Sequence, residues 1–146
     1  MKGNWFVDTN LLVYYRDRTE PDKQTRAAQW LGGLWHGRNG RLSTQVLSEY
    51  YVTVTQKLRP GLPSDAAWAD VKALMAWRPV SLDGALLERA RGLQQRYQLA
   101  WWDALIVAAA HRSTCTVLLT EDLQDGQDLD GVTVRNPFLH MPESGG

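Results

Sequence analysis

The segment that most limits the fold of this chain is residues 4–15, Asn-Trp-Phe-Val-Asp-Thr-Asn-Leu-Leu-Val-Tyr-Tyr. Its first apolar run, Trp5 to Val7, is typical of a buried strand, and its second, from Leu11, is typical of the start of a helix. Asp8 lies between the two runs, so a carboxylate directly follows a strand. Ligands bind at that edge of open α/β sheets, although an Asp at this position also suits the N-cap of the next helix.

Short apolar runs and helical patterns go on alternating along the chain. We expect strands near residues 5–7, 42–43, 80–82, 117–119 and 132–134, and helices near residues 11–15, 21–36, 44–58, 65–75, 86–97 and 104–110. Ser64 is a good N-cap for the fourth helix. This order predicts a three-layer α/β fold with a mainly parallel sheet. The length predicts a single domain over residues 1–146, with its core in 4–138 and a flexible tail in 139–146.

The composition argues against several classes of protein. Sixteen Lys and Arg balance sixteen Asp and Glu, so no overall field favours nucleic acid, although 12 of the cations are Arg, which suits phosphate contacts. Cys115 is the single cysteine and allows no internal disulfide, and no apolar run reaches the roughly 20 residues of a membrane span. We therefore expect a cytoplasmic protein with no membrane segment. No phosphate-loop, dinucleotide or nucleophile motif is present in the sequence.

Four acidic residues occupy positions that suit a shared site. Asp8 and Asp122 follow strands, and Asp103 stands at the entrance of an apolar helix. Glu49 lies beside the apolar stripe of another helix, where a solvated surface position is the plain alternative. Grouped carboxylates repel one another and are driven to bind protons, whereas Mg²⁺ or Mn²⁺ takes oxygen ligands and neutralises them. Two such ions would balance four carboxylates and stabilise the attacking and leaving oxygens of a phosphodiester.

Four short motifs that contain these acids resemble, in order, the motifs of PIN domains. They are Phe-Val-Asp8-Thr-Asn10, Leu-Ser-Glu49-Tyr, Trp-Trp-Asp103-Ala-Leu-Ile and Leu-Leu-Thr120-Glu-Asp122-Leu-Gln-Asp-Gly126. The chain is most similar to the VapC-like toxins of type II toxin–antitoxin pairs, over about residues 4–138. The resemblance implies an α/β/α sandwich, a Mg²⁺- or Mn²⁺-dependent endoribonuclease, a homodimer, and a small antitoxin protein that inhibits it.

The same resemblance assigns roles to individual side chains. It gives catalytic and metal-binding roles to Asp8, Glu49, Asp103 and Asp122. Asn10 and Thr120 would be supporting polar groups, and Asp125 a further acid in the variable last loop. The Thr-x-Asp pattern of the family favours Asp122 over Glu121 as the last acid. Water held by one ion would attack the RNA phosphodiester while a second ion steadies the leaving oxygen.

The sequence also suggests where partners bind. Arg16 and Arg18, just after the first helix, are candidates for holding the phosphates that flank the scissile bond. The antitoxin is expected to bury apolar side chains around Trp30, Leu34 and Trp35, because an aromatic-rich surface beside an anionic cleft complements an apolar segment with one cation.

Two other functions stay open on the sequence alone. A PIN-fold module that binds RNA or protein without catalysis would be favoured by the loss of an acid, and all four are present. The other is phosphoryl transfer on Asp8, as in receiver or phosphatase folds. A receiver domain would need an additional early acidic pair and a Lys after a late strand, where Thr120-Glu121-Asp122 stands instead. Asn10 stands where a haloacid-dehalogenase-like phosphatase would have its second Asp.

Overall fold

A single twisted sheet with helices packed on it forms the part of the chain that the computed structural model describes, residues 2–142. The strands of this part are β1 (Asn4–Val7), β2 (Gly40–Arg41), β3 (Cys115–Leu119), β4 (Asp128–Leu129) and β5 (Val132–Arg135). Its α-helices are α1 (Thr9–Arg16), α2 (Pro21–Gly37), α3 (Thr44–Val52), α4 (Ser64–Leu74), α5 (Gly84–Tyr97) and α6 (Trp101–Arg112). The sheet order is β2-β1-β3-β5-β4, and every pairing is parallel except that of β4 with β5. The predicted α/β/α sandwich with a mainly parallel sheet is confirmed.

The core lies where the central strands meet the most apolar helix. Phe6 and Val7 of β1 and Leu118 and Leu119 of β3 are fully buried. In α6, residues 104–110 are all buried, as expected for a helix without a polar face. The alanines among them let α5 and β3 approach α6 closely, and these are the elements it packs against most.

The register of the sheet brings two strand ends to one point. Val7 lies opposite Leu119, and the amide of Asp8 donates to the carbonyl oxygen of Leu119 at 3.1 Å. The next residues of the two strands, Asp8 and Thr120, therefore meet at the carboxyl edge of the sheet. At the same edge, Ser43 ends the chain segment of β2 and caps α3, because its Oγ accepts from the amide of Val46 at 3.2 Å.

Some details differ from the sequence-based expectation. The two-residue strand β4 was not predicted, because a strand this short gives no period-2 pattern. The helix expected over 44–58 is α-helical to Val52 and then continues as a π-helical turn, Thr53–Lys57. Ser64 is the first helical residue rather than the N-cap, since Pro63 precedes it and no side chain caps this end. Of the strand expected at 80–82, Val80 forms one bridge to Ser43.

The aromatic surface proposed for the antitoxin is wrong in part. Trp30 and Leu34 are fully buried, and the indole Nε1 of Trp30 donates to the carbonyl oxygen of Pro137 at 2.9 Å. Trp35 is 50% exposed and keeps its place on the surface. The helical stripe could not separate these residues, because Trp30 contacts the chain segment after β5, which comes from far along the sequence.

That segment also bears on the predicted tail. Nη1 of Arg26 donates to the carbonyl oxygen of His140 at 2.8 Å, so the start of the region 139–146 is anchored to α2. Residues 143–146 of the predicted tail lie outside the described residues. Within residues 2–142, none of the helices combines the length and the apolar character needed to cross a membrane.

Candidate active site

Asp8 lies at the centre of the carboxyl edge and is 6% exposed. Its Oδ1 accepts from the amide of Thr9 at 2.7 Å, and its Oδ2 accepts from Oγ1 of Thr120 at 2.8 Å. Burial raises the pKa of the Asp8 carboxyl to about 7, against the lowering effect of these two hydrogen bonds. The negative charges of Asp122 and Asp103 add to the rise. Asp8 is thus the N-cap of α1. Its surroundings also disfavour the bare negative charge, so that binding of a proton or a cation is favourable.

Thr120 and Asn10 connect Asp8 to Asp122. Besides donating to Asp8, Oγ1 of Thr120 accepts from Nδ2 of Asn10 at 3.2 Å and from the amide of Asp122 at 3.0 Å. Nδ2 of Asn10 also donates to Oδ2 of Asp122 at 3.1 Å. Oδ1 of Asn10 is buried and has no hydrogen-bond partner among the described residues. Because buried polar atoms nearly always have partners, this oxygen is a candidate for contact with a water or a cation.

Glu49 reaches the same group from α3. Its Oε2 accepts from Oγ1 of Thr9 at 2.9 Å, and its Oε1 accepts from Nε2 of Gln45 at 3.1 Å. Sequence reasoning did not single out Thr9 and Gln45. The available signals were a hydroxyl next to Asp8 and an amide one helical turn before Glu49, where side chains at i and i+4 meet.

Asp103 stands in the first turn of α6 and is half-buried. Within residues 2–142 its carboxylate has neither a hydrogen bond nor an ion pair. Burial raises the pKa of the Asp103 carboxyl, and the charges of Asp122 and Glu49 raise it further. The positive end of the α6 dipole favours the ionised form, but no described side chain donates to it.

The four acids therefore share one electrostatic environment. The pKa of Asp8 responds to Asp122 and Asp103, and the pKa of Asp103 responds to Asp122 and Glu49. No described Lys, Arg or His forms an ion pair with any of the four. An open pocket of about 340 Å³ lies beside them, lined by Thr9, Asn10, Val13, Tyr14, Asp17, Thr53, Glu121 and Asp122.

The donor atoms of the site determine which metal it could hold. The donors are all oxygens, and they include carboxylates that repel one another and the unpartnered amide oxygen of Asn10. Across the described residues, no three His, Cys, Asp or Glu side chains are close enough together to hold an ion by themselves. Mg²⁺ usually keeps several waters and takes one or two carboxylates rather than a closed protein cage. The donor set therefore fits Mg²⁺ or Mn²⁺ and does not fit a preformed zinc or calcium site.

Asp122 and Glu121, the two candidates for the last acid of the site, have different contacts. Glu121 accepts from Nζ of Lys23 on α2 at 2.9 Å, and the same ammonium donates to the hydroxyl of Tyr14 at 3.2 Å. Lys23 also lies over the ring of Phe138, 5.0 Å from its centroid. Glu121 is thus paired with a cation, whereas Asp122 contacts Asn10 and influences the other acids. This arrangement agrees with the Thr-x-Asp register.

Asp125 lies away from the four acids. Its Oδ1 accepts from the amide of Asn136 at 2.8 Å, and its Oδ2 lies 2.9 Å from Nε2 of His140. These contacts, led by the backbone hydrogen bond, lower the pKa of the Asp125 carboxyl. Asp125 therefore stabilises the chain segment after β5 through Asn136 and His140.

Arg16 and Arg18, the candidates for phosphate contacts, differ from each other. Arg16 donates through Nε and Nη2 to the two oxygens of Asp70 on α4, at 2.8 and 2.7 Å. The hydroxyl of Tyr50 donates to the same carboxylate. Arg18 is exposed and lines a small pocket with Arg59 and Arg16. The pairing of Arg16 with Asp70 spans 54 positions of sequence, and no local pattern predicts it.

The fold and the site define a class of protein: a mostly parallel α/β sheet, covered on both faces, with acidic residues from four parts of the chain near its carboxyl edge. A family model described as the PIN domain matches residues 5–125, and the chain belongs to the PIN domain family. Among solved structures, it is similar to a chain of a toxin–antitoxin complex from Klebsiella pneumoniae, with a TM-score of 0.65 and 22% sequence identity. That similarity covers 92% of this chain and 98% of the other. No curated protein sequence matches the chain.

Proposed function

We propose that this chain is a Mg²⁺- or Mn²⁺-dependent endoribonuclease of the cytoplasm and the toxin of a toxin–antitoxin pair. The observation that carries the proposal is the convergence of four acids with no described cation among them. In a protein of the PIN domain family, the missing counter-charge is best supplied by a divalent ion. The toxin–antitoxin complex among its structural neighbours supports the biological setting.

Each side chain of the site would have a distinct role toward the ion. Asp8 and Asp122 would hold the ion, with Thr120 and Asn10 fixing the distance between them. Asp103 and Glu49 would complete the negative charge around it, and Thr9 orients Glu49. When bound, the ion would lower the pKa of water and offset charge on the phosphodiester. The hydroxyl of Thr120 is saturated by one donation and two acceptances, so it serves as a spacer rather than as a proton carrier.

The test is RNA cleavage by the purified chain with Mg²⁺ or Mn²⁺ and with EDTA, using Asp103→Asn as the inactive variant. Glu121→Gln is the matched control, because Glu121 is a neighbouring acid that already has a cation. We expect cuts that need the metal and leave 5′-phosphate ends, and we expect a 2′-deoxy substitution at the scissile position to be tolerated. Ends with 2′,3′-cyclic phosphate would show attack by the RNA itself and would contradict the proposed hydrolysis by water. RNA that is bound but never cut would favour the non-catalytic module.

A small antitoxin is the proposed partner, and the exposed part of α2 is where we place it. A groove of about 520 Å³ opens between α1, α2 and α4, with Leu12, Leu31, Trp35, Leu74 and Trp77 among its lining residues. Its apolar walls suit an apolar segment of a partner. Trp35→Ala should weaken an isolated toxin–antitoxin complex, whereas Trp68→Ala, which removes an equally exposed indole (51%), should not. The homodimer remains a prediction that light scattering of the purified chain would check.

A further inference from the structure

A second, chemically different pocket lies at the β2 edge of the sheet. It has a volume of about 280 Å³ and is lined by Trp35, Arg38, Arg41, Ala76, Trp77 and Arg78. We call this group the arginine pocket. Its cations come from three separate places: the end of α2, strand β2 and the turn after α4. Three arginines therefore line one concave surface, which gives it the positive charge that an anionic ligand needs.

The arginines of this pocket have no acidic counterparts. From residue 23 to residue 48 the sequence contains no Asp or Glu at all. Among the described residues, Arg38, Arg41 and Arg78 form no ion pair with a carboxylate. Nη1 of Arg41 donates to the carbonyl oxygens of Gly40 and Arg38, at 2.7 and 3.2 Å, which holds that side chain in place. The pocket therefore presents uncompensated positive charge.

Two of the arginines occupy backbone positions that favour glycine. Arg38 ends α2 with φ of 57°, and Arg78 follows the turn after α4 with φ of 56°. A side chain in this left-handed region costs free energy that glycine would not. Gln98, Thr114 and Asp130, outside the pocket, have positive φ as well, so this conformation does not by itself mark a site. We expect glycine at either arginine position to raise stability.

The wall of the pocket is aromatic. Trp35 is 50% exposed, and its ring centroid lies 6.0 Å from that of Trp77, which is almost fully buried. Trp77 packs flat on the backbone of β2, since a Cβ added to Gly40 would come within 2.8 Å of three of its ring atoms. The buried indole supports the exposed one, so Trp35 offers a steady flat surface beside the cations. Guanidinium groups next to an exposed aromatic ring are the combination that holds phosphates and stacks bases in single-stranded nucleic acid.

The pocket lies toward the start of β2, away from the carboxyl edge that carries the acids. Arg41 lies opposite Phe6 on β1, so its Cα is roughly 8 Å from that of Asp8, by strand spacing and rise, but its Nη1 turns back to the carbonyl oxygens of Gly40 and Arg38. An RNA strand would therefore run along the β2 edge for several nucleotides to reach both places.

Two cations near the acid-lined pocket are paired with carboxylates and are less able to hold a phosphate. They are Arg16, which binds Asp70, and Lys23, which binds Glu121. An anionic centre that must approach RNA needs positive charge elsewhere to hold the strand. The arginine pocket supplies it.

We propose that the arginine pocket binds single-stranded RNA, with phosphates on Arg38, Arg41 and Arg78 and a base stacked on Trp35. This deepens the proposed function, because it adds a second holding point for the same substrate class. A segment of RNA a few nucleotides from the scissile bond would occupy it, and cleavage would depend on RNA long enough to reach both places.

The direct test is binding of a short fluorescein-labelled oligouridylate by the full chain in EDTA, where no cleavage occurs, at several salt concentrations. Arg38→Gln/Arg78→Gln should weaken binding by roughly tenfold and reduce the salt slope by roughly 1.4, about 0.7 for each lost phosphate contact on a single strand, because phosphate contacts release counter-ions. The matched control is Arg89→Gln/Arg91→Gln, which removes two exposed arginines of α5. Trp35→Ala should weaken binding, and Trp68→Ala should not. Equal losses in the control pair, or unchanged binding by the pocket variant, would overturn the proposal.

A stability measurement supplies a signature that a structural role would not give. Arg38→Gly and Arg78→Gly should each raise the midpoint of thermal unfolding while weakening RNA binding. Gln98→Gly is the control, because Gln98 ends α5 with φ of 55° outside the pocket. It should raise the midpoint and leave RNA binding unchanged. A lower midpoint in the two arginine variants would show that these residues serve the fold, and would contradict the proposal.

Two further outcomes separate the alternatives. If the pocket variant keeps RNA binding but loses binding to a labelled oligoglutamate, the site belongs to an acidic protein segment and the RNA proposal is wrong. If the variant loses RNA binding while the wild type never cuts RNA with any metal, the pocket is supported and the proposed nuclease function fails. Binding in EDTA and cleavage in Mg²⁺ are measured separately, so the two failures can be told apart.

Discussion

Asp8 and Asp70 are both carboxylates held largely out of water, and they differ in what surrounds them. Asp70 accepts two hydrogen bonds from Arg16 and one from Tyr50, so its charge is neutralised by a guanidinium group. Asp8 accepts from neutral groups of Thr9 and Thr120, and the nearby charges that affect it are negative. One acid is built into an ion pair that joins α1, α3 and α4, and the other is left without a counter-ion.

The difference indicates which acids serve the fold and which serve a ligand. A buried charge is costly unless it is paired. The partly buried acids Asp70 and Glu121 are paired with Arg16 and Lys23. Asp8, Glu49 and Asp103 are also buried or partly buried, and among the described residues none of them has a cationic partner. We infer that the site acids bind a cation, whereas Asp70 and Glu121 stabilise the fold.

The largest expected effect is on RNA cleavage. Asp8→Asn, Glu49→Gln, Asp103→Asn and Asp122→Asn should each lower cleavage by about a hundredfold to a thousandfold or more, the size that follows the loss of one preorganised charge-stabilising group. Asp70→Asn should stay within a few-fold of wild type once the folded fraction is matched. Initial rates on one RNA substrate at saturating Mg²⁺ measure this. Near-normal cleavage by Asp103→Asn would break the assignment.

The next effect is the pH dependence of stability in metal-free protein. The pKa of Asp8 is about 7 in the folded state against 3.8 without its surroundings. A raised carboxyl pKa destabilises the fold increasingly as pH rises from about 4 to 7, by at most about 4 kcal/mol. Asp8→Asn lacks this titration, so the stability of wild type relative to the variant should fall between pH 5 and pH 8. Urea unfolding in EDTA at both pH values checks it, and a difference independent of pH would contradict it.

Asp70 should behave in the opposite way. Asp70→Asn leaves the guanidinium of Arg16 without its carboxylate, and it should destabilise the protein by about 1–3 kcal/mol with or without metal. The lower half of that range is expected because the pair is partly exposed. Arg16→Gln should give a similar loss, and the double variant should lose less than the sum of the two. Strict additivity in urea unfolding would show that the pair is not coupled.

The smallest effect is expected at Glu121. Glu121→Gln weakens its contact with Lys23, and for a pair this exposed the stability should change by less than about 1 kcal/mol. RNA cleavage should remain within a few-fold of wild type. If Glu121→Gln and Asp122→Asn exchanged their effects on cleavage, the register of the last acid would be off by one residue.

The sequence was sufficient for the features that depend on local pattern. The apolar run before Asp8, the buried helix after Asp103 and the alternation of elements predict the sheet, its parallel order and the edge where the acids meet. The helical phase of Glu49 places it beside the apolar stripe of α3, which agrees with its half-buried position.

Features that depend on distant contacts were beyond such reasoning. Trp30 lies at the margin of the apolar stripe of α2, and it is buried with its indole bound to the carbonyl oxygen of Pro137, over 100 positions away. The bond between Arg16 and Asp70 depends on how α1 and α4 both pack against α3. Likewise, Arg38 and Arg78 are 40 positions apart and meet only because β2 and the turn after α4 are neighbours.

One measurement tests the central claim most directly: thermal unfolding of wild type, Asp8→Asn and Asp103→Asn at pH 8, each in EDTA and in Mg²⁺. In EDTA both variants should be more stable than wild type, because each amide removes a repelled charge. For Asp8→Asn the gain should be about 1–2 kcal/mol, after the weakened hydrogen bond to Thr120 is taken into account. Asp103→Asn loses no described hydrogen bond and serves as the cleaner variant. Mg²⁺ should stabilise wild type more than either variant, by mass action. Variants that unfold below wild type in EDTA, with no selective effect of Mg²⁺, would show that these acids hold the fold together and that the site binds no metal.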